Sequence, residues 1–116
     1  MSEDDFFHQN ADKTLESIQD NLDALDENYD IEGFDLLFSS GVLTVKFGMK
    51  GTYVLNKQPP NKQIWLSSPV SGPRRFNFNT KNNNWISSRE EDNQLVLETH
   101  LSNEISKLLG VEDLKI

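Results

Sequence analysis

At 116 residues, with 35% hydrophobic and 26% charged side chains, the chain is sized for one domain with a single modest core. It has no cysteine, which excludes disulfides, zinc–thiolate sites and cysteine nucleophiles, and no apolar run approaches the roughly 18 residues that span a bilayer. The net charge of −8 is uneven: residues 1–35 carry twelve acids against one base, Lys13, while the remaining 81 residues carry seven acids and ten bases. Phosphate contacts need clustered Lys and Arg, so nucleic-acid binding is not expected. Cations or basic partners suit the acidic end.

Residues 1–11 are an acidic lead-in, and MSEDDFFH is the opposite of an Arg-rich, acid-poor mitochondrial presequence. Residues 12–28 have the period of an amphipathic helix, with Leu15, Ile18, Leu22 and Leu25 on one side and Phe6, Phe7 and Ala11 able to extend that side upstream. Glu16, Asp20, Asp23 and Glu27 cluster roughly 150° away, as a ridge facing solvent. Like charges at these spacings weaken a helix by roughly 0.2–0.5 kcal/mol per pair.

A turn region, Asn28–Gly33, leads into short strand signals at 34–38, 42–47, 52–56, 63–67, 75–78 and 85–88. Alternation puts Leu43, Val45 and Phe47 on one face, and Val42, Thr44 and Lys46 on the other. Connections this short favour antiparallel hairpins. Helical spacing returns from Leu95 to Leu109, in the stripe Leu97, Leu101, Ile105 and Leu108, with Gly110 as the C-cap. The tail, residues 111–116, is expected to fold back over the helices through Leu114. Helix, strands, helix predicts an α+β two-layer sandwich whose sheet has one face open to water.

Two features of this outline bear on function. In strand 63–67, Ile64 and Leu66 point one way and Gln63 and Trp65 the other. If Ile64 and Leu66 lie beneath the helices, Trp65 stands on the open face among Asn56, Gln63 and Arg75, a composition typical of protein-binding hot spots. Alternatively, the loop KQPPNK covers that Trp. The acidic ridge likewise has two readings. It is either a solvated face, or a set of hard oxygen ligands, continuing at Glu32 and Asp35, that holds divalent cations weakly and with much of their water. His8 and His100 are not paired by spacing, and His8 has the more acidic surroundings. Glu90-Glu91-Asp92 is expected to complement the dipole of the second helix. No nucleophile–base pair or phosphate loop appears, and no active site is expected.

The segment GTYVLNKQPPNKQIWLSSPVSGPRRF, Gly51–Phe76, resembles the signature stretch of the frataxin family in its eukaryotic form. The order of elements agrees from about His8 to Leu109. The resemblance implies a sandwich of two helices on an antiparallel sheet of five to seven strands. It implies residence in the mitochondrial matrix, with the presequence absent from this chain. It also implies docking on cysteine desulfurase and iron–sulfur scaffold proteins, where family members accelerate sulfur transfer and are proposed to donate Fe2+. By position, the weak iron sites (Fe2+/Fe3+) fall on Asp20, Asp23, Glu27 and Asp35, with Asp12 and Glu16 as further acids; His8 is a candidate ligand from its acidic surroundings alone. Ala24 and Leu37 depart from the acids of related fungal members. The family's partner strip matches at Asn56, Lys57, Gln58, Gln63, Ile64, Trp65 and Arg75, Ile64 from the buried side. A monomer forming iron-dependent oligomers is implied. Two rival expectations remain: a ferroxidase or iron store working on Asp20, Asp23 and Glu27, and a ridge that serves only as an electrostatic contact for a basic partner.

Overall fold

Ser2 decides where the first helix begins. Its Oγ accepts the Asp5 N–H at 3.1 Å, and Glu3, Asp4 and Asp5 fill the first turn, where carboxylates offset the helix dipole. Helix α1 therefore runs Glu3–Tyr29, so the acidic lead-in forms its first turns. Phe7, Ala11, Leu15, Ile18, Leu22 and Leu25 are its buried stripe. The chain turns out at Asp30, in the left-handed region at φ 47°. These coordinates come from a computed structural model that describes residues 2–112 and 114–116.

Six strands follow: β1 (Phe34–Ser39), β2 (Val42–Phe47), β3 (Thr52–Gln58), β4 (Gln63–Ser68), β5 (Gly72–Asn79) and β6 (Asn84–Ser87). They form one antiparallel meander in chain order. Helix α2 (Leu97–Leu109) closes the order, ending at Gly110 with φ 68°. The predicted two-layer α+β sandwich is the fold found, with six strands.

Strands β3 and β5 outrun their sequence signals because their hairpins extend the ladder, pairing Gln58 with Gln63 and Ser68 with Gly72. Pro73 is tolerated within β5 because β6 pairs only with Phe76–Asn79, leaving one side of Pro73 unpartnered. Pro59-Pro60-Asn61 forms a single 3-10 turn, closed by the Lys62 N–H on the Pro59 carbonyl at 3.1 Å. The prolines thus leave the ladder between β3 and β4. Gly51, at φ 123°, must be glycine: a Cβ there would stand 2.5 Å from the Pro69 Cβ. The β2–β3 and β4–β5 turns are therefore packed on each other.

The core lies between the helices and one sheet face, where Leu43, Val45, Phe47, Tyr53, Leu55, Ile64, Leu66, Phe76 and Trp85 are buried. Leu97, Leu101 and Ile105 of α2 complete it. The tail folds back as expected, with Leu114 and Ile116 against the core and the Ile116 N–H donating to Ser102 Oγ at 3.0 Å. Among the described residues no helix is long and apolar enough to cross a membrane.

Candidate functional site

Register decides which side chains share the open face of the sheet. Asn56 pairs with Trp65, and Trp65 with Arg75; one step along, Gln58 pairs with Gln63, and Gln63 with Asn77. Since Leu55, Ile64, Leu66 and Phe76 point to the helices, these six side chains all point away from them. Trp65 is half-buried, because its neighbours hold it rather than a loop covering it. Its Nε1–H donates to Gln63 Oε1 at 2.8 Å, and the Arg75 guanidinium carbon sits 4.4 Å from the ring centroid. Gln63 Nε2 in turn donates to Asn77 Oδ1 at 3.1 Å. Beside Trp65 a shallow depression of about 370 Å³ is lined by Val54, Asn56, Ser67, Pro73 and Arg75.

Five of the seven predicted strip residues therefore come together: Asn56, Gln58, Gln63, Trp65 and Arg75. Two do not. Ile64 is 0% exposed beneath the helices, so it anchors the strand rather than meeting a partner. Lys57 lies opposite Ile64 on the helix side, where its Nζ is 2.8 Å from Asp12 Oδ1. Strand parity separates both from Trp65. Val54, Ser67, Pro73 and Asn77 share the open face without having been singled out, and the same parity, counted outward from Trp65, is the signal that finds them.

On α1, Glu16, Asp20, Asp23 and Glu27 are all exposed, as the wheel predicts. Asp12 is drawn off this ridge by its ion pair with Lys57. Asp35 sits elsewhere too: alternation in β1 puts it with Leu37 on the open side of the sheet, opposite Lys46. His8 is half-buried, its ring 5.3 Å from that of Phe7. Among the described residues no group of three or more His, Asp or Glu side chains is arranged to hold a metal ion.

Two polar clusters join side chains far apart in the chain. Glu104 of α2 accepts from Tyr53 Oη at 2.7 Å, from Ser68 Oγ and from Ser71 Oγ at 2.5 Å, with His100 Nε2 2.8 Å away. Burial pushes this carboxyl up, but the hydrogen bonds from Ser68, Ser71 and Tyr53 outweigh it and hold the group below its ordinary value. Burial, reinforced by Glu104, pushes the Tyr53 hydroxyl far up. Ser71 and Glu104 meet the same imidazole nitrogen, at 3.2 and 2.8 Å. A serine–histidine–acid relay needs opposite ring nitrogens, so this cluster is structural.

The second cluster corrects the role expected of Glu90-Glu91-Asp92. Asp92 ends a 3-10 turn before α2 begins, and accepts instead from Arg74 Nε at 3.0 Å, Arg89 Nε at 3.1 Å and Ser87 Oγ at 2.6 Å. Its carboxylate is thereby held by Arg74 of β5 and Ser87 of β6.

Comparison with known proteins agrees with this geometry. A family profile described as a frataxin-like domain matches residues 1–111. The chain belongs to the frataxin family. It is 45% identical over 101 residues to the mitochondrial frataxin homolog of Schizosaccharomyces pombe, covering 87% of this chain and 62% of that protein. It is 44% identical over 104 residues to the mitochondrial frataxin of Arabidopsis thaliana, covering 90% of this chain and 54% of that one. The chain thus spans little more than half the length of these relatives. Among solved structures, trimeric frataxin from the yeast Saccharomyces cerevisiae, complexed with ferrous, superposes with a TM-score of 0.74 at 42% identity, over 87% of this chain and 86% of that one.

Proposed function

We propose that the chain is an iron-binding regulator of mitochondrial iron–sulfur cluster assembly, which docks on a cysteine desulfurase–scaffold complex and accelerates sulfur transfer. The observation that carries this is Trp65. The ring is held on the open face by Gln63 and Arg75, beside a depression, with its neighbours pre-positioned by the ladder. An aromatic anchor with a polar rim on a rigid sheet loses little conformational entropy on binding. The mitochondrial setting follows from the relatives' names, and the ferrous-bound yeast structure supports iron as the ligand of this chain too. Asp20, Asp23 and Glu27, exposed on the ridge along with Glu16, are the carboxylates assigned to hold Fe2+, weakly and through water.

Trp65→Ala should keep the circular dichroism and melting profile of the wild type and abolish stimulation of the reconstituted desulfurase complex. Undiminished stimulation by that variant would sink the docking role. For the ridge, Fe2+ titration should broaden the amide resonances around Asp20, Asp23 and Glu27 by paramagnetic relaxation. Unaffected α1 resonances would leave the ridge as a contact for a basic partner alone.

A further inference from the structure

Two of the contacts around Trp65 share a cause in the ladder. The Ser88 N–H bonds to the Arg75 carbonyl at 2.8 Å, so the backbone groups of Arg75, and of Asn77 two residues on, point to β6. Toward β4 both residues therefore sit in non-hydrogen-bonded pairs, Arg75 with Trp65 and Asn77 with Gln63. In such pairs the Cα atoms are about 4.5 Å apart and the side chains approach most closely. One close pair sets the guanidinium carbon 4.4 Å from the indole centroid. The other brings Asn77 Oδ1 to 3.1 Å from Gln63 Nε2.

Donor and acceptor chemistry gives this second contact a direction. An indole nitrogen can only donate, so Gln63 must turn its carbonyl oxygen to Trp65, where Oε1 accepts at 2.8 Å. Its amide nitrogen then points the other way, and Asn77 Oδ1 accepts from it. With the Gln63 amide reversed, an NH2 group would face the indole N–H, and Trp65 would lose its acceptor. We propose, on the docking reading of Trp65 given above, that Asn77 is a positioning residue. It holds Gln63 in the one amide orientation that accepts the indole N–H, so that Trp65 meets its partner with its ring plane fixed and its donor already used. Asn77 thus acts through Gln63, as Arg75 acts on the ring directly, and the two together set the aim of the anchor before binding. An anchor ordered beforehand spares the partner complex that cost.

The test compares Asn77→Ala, which removes the acceptor, with Asn77→Asp, which keeps an oxygen in its place. In the free protein, exchange of the Trp65 indole proton with water, read from its NMR cross-peak, should quicken in Asn77→Ala by about threefold or more and stay near the wild-type rate in Asn77→Asp. The Trp85 indole, bonded to Thr14 at 2.9 Å, is the internal reference and should not change. In the reconstituted desulfurase complex, the Asn77→Ala concentration giving half-maximal stimulation should rise by about three- to tenfold, as when one more side chain is ordered on binding, with maximal stimulation retained. Melting temperatures measured alongside show that both variants fold. An unchanged Trp65 indole rate in Asn77→Ala, or a rate as fast in Asn77→Asp as in Asn77→Ala, overturns the relay. A faster rate with an unchanged half-saturation point overturns the positioning role. Trp65→Ala in the same assay separates these failures from that of docking itself: if it stimulates as the wild type does, the docking reading fails, whereas the relay is read in the free protein without a partner.

Discussion

The two tryptophans sit on opposite sides of the same sheet, and their surroundings differ in kind. Trp85 is 0% exposed, edge-on to Phe7 and Phe78, with its Nε1–H bonded to a helix hydroxyl on Thr14. Trp65 is held by a glutamine and an arginine from the sheet itself, with no helix above it. One ring is shared between layers and makes the fold cooperative; the other is presented by a single layer and adds little to it. The helix side of this sheet therefore carries the stability, and the open side contributes little to it.

The strongest way to break that contrast is to truncate Trp85. Trp85→Ala removes a ring packed among Phe7, Phe78 and α1, and should cost about 3–5 kcal/mol, read as a fall in the denaturation midpoint at an unchanged slope. A cost below about 1 kcal/mol would mean that the helix side is not where the stability resides.

Next in size is the polar seam on the same side. Glu104→Ala would leave Tyr53 Oη and Ser68 Oγ without their acceptor in a region closed by α2, and should cost about 1–3 kcal/mol by equilibrium denaturation. A silent Glu104→Ala would show that water replaces the carboxylate freely.

Acid should act on this side as well. Hydrogen bonds from Arg89 first, against the opposing effect of burial, and then from Ser87 and Arg74 hold the Asp92 carboxyl far below its ordinary 3.8. Glu104 also lies below its ordinary value, and burial lowers His100 below 6.5. Each of these groups binds fewer protons folded than unfolded. The His100 share of stability is present above pH 6.5 and is lost as pH falls from there through its folded value. The carboxylate shares are present above the ordinary carboxylate range and are lost as pH falls below it. Glu98, raised by burial, works the other way: its share is present below its ordinary 4.5 and lost as pH rises through its folded value. Melting temperature should therefore fall from pH 7 to pH 3, and Asp92→Asn should flatten the lower part of that profile. A profile as steep in Asp92→Asn as in the wild type would contradict the Asp92 assignment.

How much of this was legible in the sequence depended on the range of the interaction. The α1 stripe, the strand alternation and the outward aim of Trp65 are set by periods of 3.6 and 2, which a short window reveals. Parity within β3 also assigns Lys57 to the side of Leu55, but likeness to a contact strip says nothing about parity, and the residue was grouped with Trp65. The start of α1 lies upstream of its periodic stretch because one hydrogen bond, from the Asp5 N–H to Ser2 Oγ, decides it. The Glu104 cluster joins residues 51 and 36 positions apart, and no local pattern encodes that meeting. The bonds of Asp92 lie beyond a local window for a related reason: its partner Arg74 is 18 positions away.

The smallest effect expected is also the sharpest discriminator between the two faces. Arg75 lies over Trp65 from the next strand and is itself exposed, so its contact with the ring is worth about 0.5–1 kcal/mol. Arg75→Ala should cost no more than that in stability, yet it uncovers one face of Trp65 and should shift the longer-wavelength part of the fluorescence to the red. Trp85, fully buried, supplies an unchanged blue component in the same spectrum. Partner affinity should drop more than stability does, because the guanidinium both fixes the ring and forms part of the rim. If Arg75→Ala instead destabilised the protein by several kcal/mol, the open face would be part of the folding core, and the division of labour between the two sides of the sheet would fail.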